Sequence, residues 1–243
     1  MASRTTRSGL RPSPANLVAM SRRRLAIIAS LVGLSALVLA MTAVRVVYTG
    51  NGYNTNLVWN LFLAWIPFGL AVYVYDGYRR GLGHLRLWAA GGLWLLFFPN
   101  ALYIVTDAKW LRDSPGVPIW YDVLLVSTAA WGGLLLGFTS LYLMQRVVVR
   151  AFGAVQAWVF ALVTLALGAF GVYLGRFERW NSWDVFTRPR LVAQDLLPHL
   201  AHPQDHPRAL AVMLLFTAFL AMSYLVFYAF AEPEAEPLRR DRS

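Results

Sequence analysis

The chain has 243 residues, of which 58% are hydrophobic and only 14% charged, with ten tryptophans and no cysteine. The absence of cysteine excludes disulfides and thiolate metal sites. The net charge of +10 does not point to nucleic acid, because the arginines gather beside long apolar runs, where basic residues report membrane topology.

Six charge-poor runs, each long enough to cross a hydrocarbon core, occupy residues 25–44, 57–75, 87–106, 120–144, 154–175 and 210–231. Residues 1–24 form a basic tail with Pro12 and Pro14, expected to be disordered, and residues 232–243 form a second charged tail. The first run exceeds the roughly 7–15 residues of a signal-peptide core and lacks a small-x-small cleavage site, so it reads as an uncleaved anchor. Short loops are expected at 46–56, 76–86, 107–119 and 145–153, and the longest connection at 176–208. The expected fold is all-α: a polytopic integral membrane protein whose transmembrane domain, residues 25–231, is a bundle of six transmembrane helices.

Six passes put both termini on one side. Fourteen of the 22 Lys and Arg residues fall on that side and eight on the other, so both termini are expected to be cytoplasmic. Away from their ends the runs hold no Asp, Glu, Lys, Arg or His, which weighs against proton-driven transport through the bundle.

This threading gathers polar residues at the outer face. The second run contributes Trp59 and Asn60, the third Pro99, Asn100, Thr106 and Asp107, and the fourth Trp120, Tyr121 and Asp122. Asn100 lies roughly 9 Å below the outer end of its helix and Asn60 about 5 Å, at comparable depth. Pro99 removes a backbone hydrogen bond and displaces the Leu95 carbonyl four residues back. In hydrocarbon, freed backbone groups need partners, and Asn100, with Asn60 as its own partner across helices, is suited to supply one. Asp107, at a helix exit, reads by itself as solvated.

Arg176, Glu178, Arg179, Asn181 and Asp184 fall within nine residues, interleaved with Phe177, Trp180, Trp183 and Phe186. Three readings stay open. One is an aromatic belt with snorkelling arginines, and another is a helix start at Trp183 capped by Asn181 or Ser182. The third is a binding site, since arginine forks suit carboxylates and phosphates, and tryptophan faces suit sugars or cations.

Residues 59–71, 93–107, 120–122 and 171–185 resemble, in that order, the signature segments of the domain-of-unknown-function 1361 family, a resemblance covering about 56–185. It implies a multi-pass protein of the bacterial cytoplasmic membrane and no activity. The resemblance also implies a histidine a few residues beyond Asp107, where this chain has Ala108, Lys109 and Trp110, so no metal site is expected there. His199, His202, Asp205 and His206 form a weak zinc candidate, interrupted by Pro203. No hydrolase triad, phosphate loop or HExxH motif occurs. No cofactor is expected.

Gly133-xxx-Gly137 and Gly171-xxx-Gly175 are small-residue patterns that let helices approach closely, here expected within the bundle. For function, the first expectation is a site acting on a lipid-linked or anionic envelope substrate. Asp107, Asp122 or Asp184 would then be the acid or base, with Asn60, Asn100, Arg176, Arg179, Asn181 and Trp183 binding. A transporter mouth lined by Asn60 and Asn100, or a structural partner of other membrane proteins, are the alternatives. Oligomeric state is not legible.

Overall fold

The computed structural model describes residues 14–107, 116–178, 180, 182, 184–191, 194 and 207–232. Its helices are α1 (Pro14–Thr49), α2 (Asn56–Arg79), α3 (His84–Tyr103), α4 (Ile119–Phe152), α5 (Ala154–Tyr173), the short α6 (Asp184–Thr187) and α7 (Pro207–Ala231). Six of them are long and apolar enough to cross a membrane, and no strand occurs among the described residues. The protein is therefore an all-α, multi-pass membrane protein. Its apolar outer surface, including Val47, Leu85, Leu215 and Phe230, matches a lipid environment.

Helix α4 packs against all five other long helices, and α3 is wedged against α2, α4 and α5. One core joins α3 to α2, α4, α5 and α7 around Trp94, Phe98, Leu102, Leu141 and Leu165; a second joins α1, α2, α3 and α4 around Val38, Leu61, Ile104 and Leu125. Glycines on both flanking helices allow α3 to approach so closely. A Cβ on Gly133 of α4 would lie 2.6 Å from the Ala101 carbonyl oxygen, and one on Gly171 of α5 would lie 2.5 Å from Pro99 Cγ. Both small-residue patterns thus serve packing within the bundle, against α3.

Three boundaries differ from the sequence expectation, the first being the start of α1 at Pro14, inside the tail expected to be disordered. Helix α1 runs through Arg45 to Thr49, so Arg45 is a helix residue rather than the edge of a loop. Helix α4 continues through Arg146 and Arg150 to Phe152, and the chain reverses into α5 at Gly153 alone. At φ 102° and ψ 172°, Gly153 occupies a conformation that is essentially glycine-only. Polar composition at 145–153 marks the helix leaving the apolar layer rather than ending.

The face carrying the amino-terminal ends of α1 and α3 is tied by ions. Arg24 forks onto Asp76 at 2.8 and 3.1 Å, Arg146 pairs with Glu232 at 2.9 Å, and Arg23 donates to the Ala231 carbonyl at 2.8 Å. The opposite face gathers the polar residues considered next.

Candidate functional site at the face opposite the termini

Two sets of polar side chains form at this face, each built on an arginine and a carboxylate. In the first, α3 ends in a tight 3₁₀ turn over residues 104–107, and α5 ends in a single π-helical turn, Leu174–Glu178. Such π turns often occur at functional sites, where they re-aim a side chain. Here the turn carries Arg176 over the end of α3. Its guanidinium carbon lies 4.4 Å from the Tyr103 ring centroid. Nε donates to Thr106 Oγ1 at 2.9 Å, and Nη2 donates to both Thr106 Oγ1 and Asp107 Oδ1, the latter at 2.7 Å. Asn60 Nδ2, from α2, donates to Asp107 Oδ2 at 2.8 Å. Three helices thereby meet on one carboxylate that is 1% exposed. Asp107 is not a solvated exit residue; it is buried and held at both oxygens.

The Thr106 hydroxyl donates to the Tyr103 carbonyl at 2.6 Å, which aims its lone pairs at Arg176. Among the described residues, Arg176 Nη1 makes no hydrogen bond, and Arg176 with Thr106 lines the head of a groove of about 400 Å³. The rest of that groove is Ala169, Val172, Tyr173 and Phe177 from α5 and Val212 and Phe216 from α7. A cation at the head of an otherwise largely apolar crevice is suited to an amphiphilic anion.

Asn100 does not meet Asn60. Its Nδ2 donates to the Phe97 carbonyl at 3.1 Å and to Ser182 Oγ at 2.8 Å, while Ser182 Oγ donates to the Leu96 carbonyl at 3.0 Å. The side-chain bonds at the proline thus fall on the carbonyls of Leu96 and Phe97, next to the Leu95 carbonyl expected to need one. They also fasten the 176–208 connection to α3. The sequence marked Ser182 only as a candidate cap for a turn at Trp183, not as a partner of Asn100.

The second set centres on Asp122, in the first turn of α4, and Arg45 of α1, both 0% exposed. Arg45 Nε and Nη2 fork onto Asp122 at 2.8 and 3.2 Å, Nη1 donates to Asn51 Oδ1 and the Tyr53 carbonyl, and Asn54 Nδ2 donates to Asp122 at 3.1 Å. The Tyr121 hydroxyl donates to the Met41 carbonyl at 2.7 Å, fixing the same helix pair. An ion pair thus lies inside the spanning helices, although the apolar runs read as free of charge away from their ends. Arg45, counted in the sequence as a loop charge, is the residue that reasoning missed. The available signal was that Ser35, Thr42, Arg45 and Thr49 share one α1 face, at the 3–4 and 7-residue spacings of a helix stripe.

Asp184 begins α6, away from both carboxylates in sequence, and its backbone carbonyl accepts from Arg188 N at 2.8 Å. Arg179, Asn181, Trp183 and the histidines at 199, 202 and 206 lie outside the described residues. Among the described residues no cluster of metal-ligating side chains occurs.

A model of the family described as "Protein of unknown function (DUF1361)" matches residues 59–223, well over half of the chain. The chain belongs to that family. Comparisons with curated proteins and with solved structures give no match. The DUF1361 match spans Asn60, Thr106, Asp107, Asp122 and Arg176, whereas Arg45 precedes it.

Proposed function

We propose that this DUF1361 protein binds an anionic envelope or lipid-linked molecule at the outer face of a bacterial cytoplasmic membrane, with both termini cytoplasmic. The observation that carries the reading is Arg176: it heads an apolar groove and retains one nitrogen with no hydrogen bond among the described residues. The orientation rests on the excess of Lys and Arg on the side of the termini.

In this reading Arg176 holds the anionic group, and Asp107, Asn60 and Thr106 position the guanidinium. Asp107 is also the acid or base nearest to such a ligand, with Asp184 as a second candidate on the adjoining segment. Arg179, Asn181 and Trp183 are the further ligand contacts that this reading expects from the sequence. Asp122, locked against Arg45, serves the fold. Asn60 and Asn100 are each engaged by neighbours, which gives the transporter reading no specific support.

Binding of glycerol 3-phosphate to protein in nanodiscs, followed by calorimetry, tests the reading. Arg176→Gln alone would strand the buried Asp107 charge, so the informative variant is Arg176→Gln/Asp107→Asn, which removes both charges together. Wild-type protein should bind and the double variant should not, at equal folded yield. Equal heats from the two, or none from wild type, would refute the assignment.

A further inference from the structure

Helix α7 is held mainly at one end, with Phe216 alone in its amino-terminal half packing partly against the core. In its carboxyl-terminal half Leu220 and Tyr224 are buried, and the Tyr224 hydroxyl bonds Gln145. Tyr228 packs on Trp158 with ring centroids 4.8 Å apart. Arg23 and Arg146 then fasten Ala231 and Glu232. In the other half, residues 210–219, no side chain is buried among the described residues. There α7 faces the α5 side chains at 169, 172, 173 and 176, spaced as one face of a helix, across the groove that Arg176 heads.

From Ala169 to Arg176 this groove descends ~10 Å along α5, at about 1.5 Å per residue. A single leaflet of hydrocarbon is roughly 15 Å deep, half of the usual core. With Arg176 at headgroup level, a groove of this length would reach most of the way to the midplane. Its walls are aliphatic and aromatic side chains, with its charge confined to the upper end.

We infer that the crevice between α5 and the loosely held half of α7 is a lateral entry site for one chain of an anionic membrane lipid, whose headgroup meets Arg176. This rests on the function proposed above and names its ligand class. Apolar contact alone gives no selectivity within a bilayer, because lipid tails already surround the helices. Selection comes from the fixed cation at the groove head together with a seat shaped for one chain. The occupant is thus a lipid bearing a phosphate or carboxylate, and a zwitterionic lipid fills the seat less well.

Native mass spectrometry of the purified full chain, titrated with phosphatidylglycerol and separately with phosphatidylcholine, tests the inference. Val212 is 39% exposed and lines the groove, so Val212→Trp should fill it without touching the Arg176 pair. Leu215, 74% exposed and absent from the groove lining, gives the matched control Leu215→Trp. The expected result is retention of phosphatidylglycerol over phosphatidylcholine by wild type and Leu215→Trp, and loss of that retention in Val212→Trp. Glycerol 3-phosphate binding should survive in all three. Undiminished phosphatidylglycerol retention in Val212→Trp would overturn the lateral site while leaving the headgroup site standing. Wild type that binds neither glycerol 3-phosphate nor phosphatidylglycerol would overturn both.

Discussion

Replacing Asp122 with alanine should be among the most damaging single changes to this bundle. Arg45 would keep Asn51 and the Tyr53 carbonyl on Nη1 but lose the carboxylate facing Nε and Nη2, at a site with no solvent exposure. Breaking a buried pair by removing one partner costs about 3–5 kcal/mol, because a charge is left uncompensated. For a chain of this size that corresponds to a fall in Tm of roughly 6–20 °C. The double variant Arg45→Met/Asp122→Leu removes both charges and should do less harm. Its residual loss is about 1–3 kcal/mol, since buried Asn54 loses its acceptor. Unfolding in detergent, followed by intrinsic fluorescence at one fixed scan rate, gives the comparison. A Tm for Asp122→Ala within ~2 °C of wild type, below what even 1 kcal/mol should produce, would refute the reasoning. A double variant less stable than the single one would refute it equally.

The same assay checks three further expectations. Gly171→Ala should destabilise by roughly 1–3 kcal/mol, since its methyl would collide with the Pro99 ring; an unchanged Tm would mean that α5 can retreat freely. Gly153→Ala should cost about 1–3 kcal/mol through backbone strain at the α4–α5 reversal, and an unperturbed variant would show that this hairpin tolerates another conformation. Ser182→Ala should lose on the order of 1–3 kcal/mol, because it strips Asn100 and the Leu96 carbonyl of a partner. It should also speed proteolysis of the α5–α7 connection, and equal cleavage rates would count against Ser182 as its fastening point.

The six spans were legible because hydrocarbon demands long apolar runs, and nothing else in the chain imitates them. The face each helix turns inward was far less so. In a soluble protein the polar side of a helix marks the outside, but here lipid-facing and core-facing positions are both apolar, so the α1 stripe through Val38 and Arg45 carried only a few polar markers. The bond from Asn60 to Asp107, rather than to Asn100, shows the same limit. Depth along the helix placed all three residues near one face, but only the rotation of α2 and α3 decides which amide meets which acceptor. The polar segment after α5 was recognisable from its composition. That Arg176 turns back onto Thr106 depends on a π turn with no clear sequence signature.

The Arg45–Asp122 pair also bears on how the protein is assembled. Its members are separated by 77 positions in the chain, so when membrane insertion proceeds from the amino terminus, α1 arrives with its guanidinium long before the matching carboxylate exists. Until α4 enters, that arginine has to lift its head towards the interfacial water. Docking α4 pulls it inward again, so the first helix becomes a settled part of the bundle only after the fourth has been threaded. A nascent chain stopped between those two events would carry a mobile, weakly committed anchor.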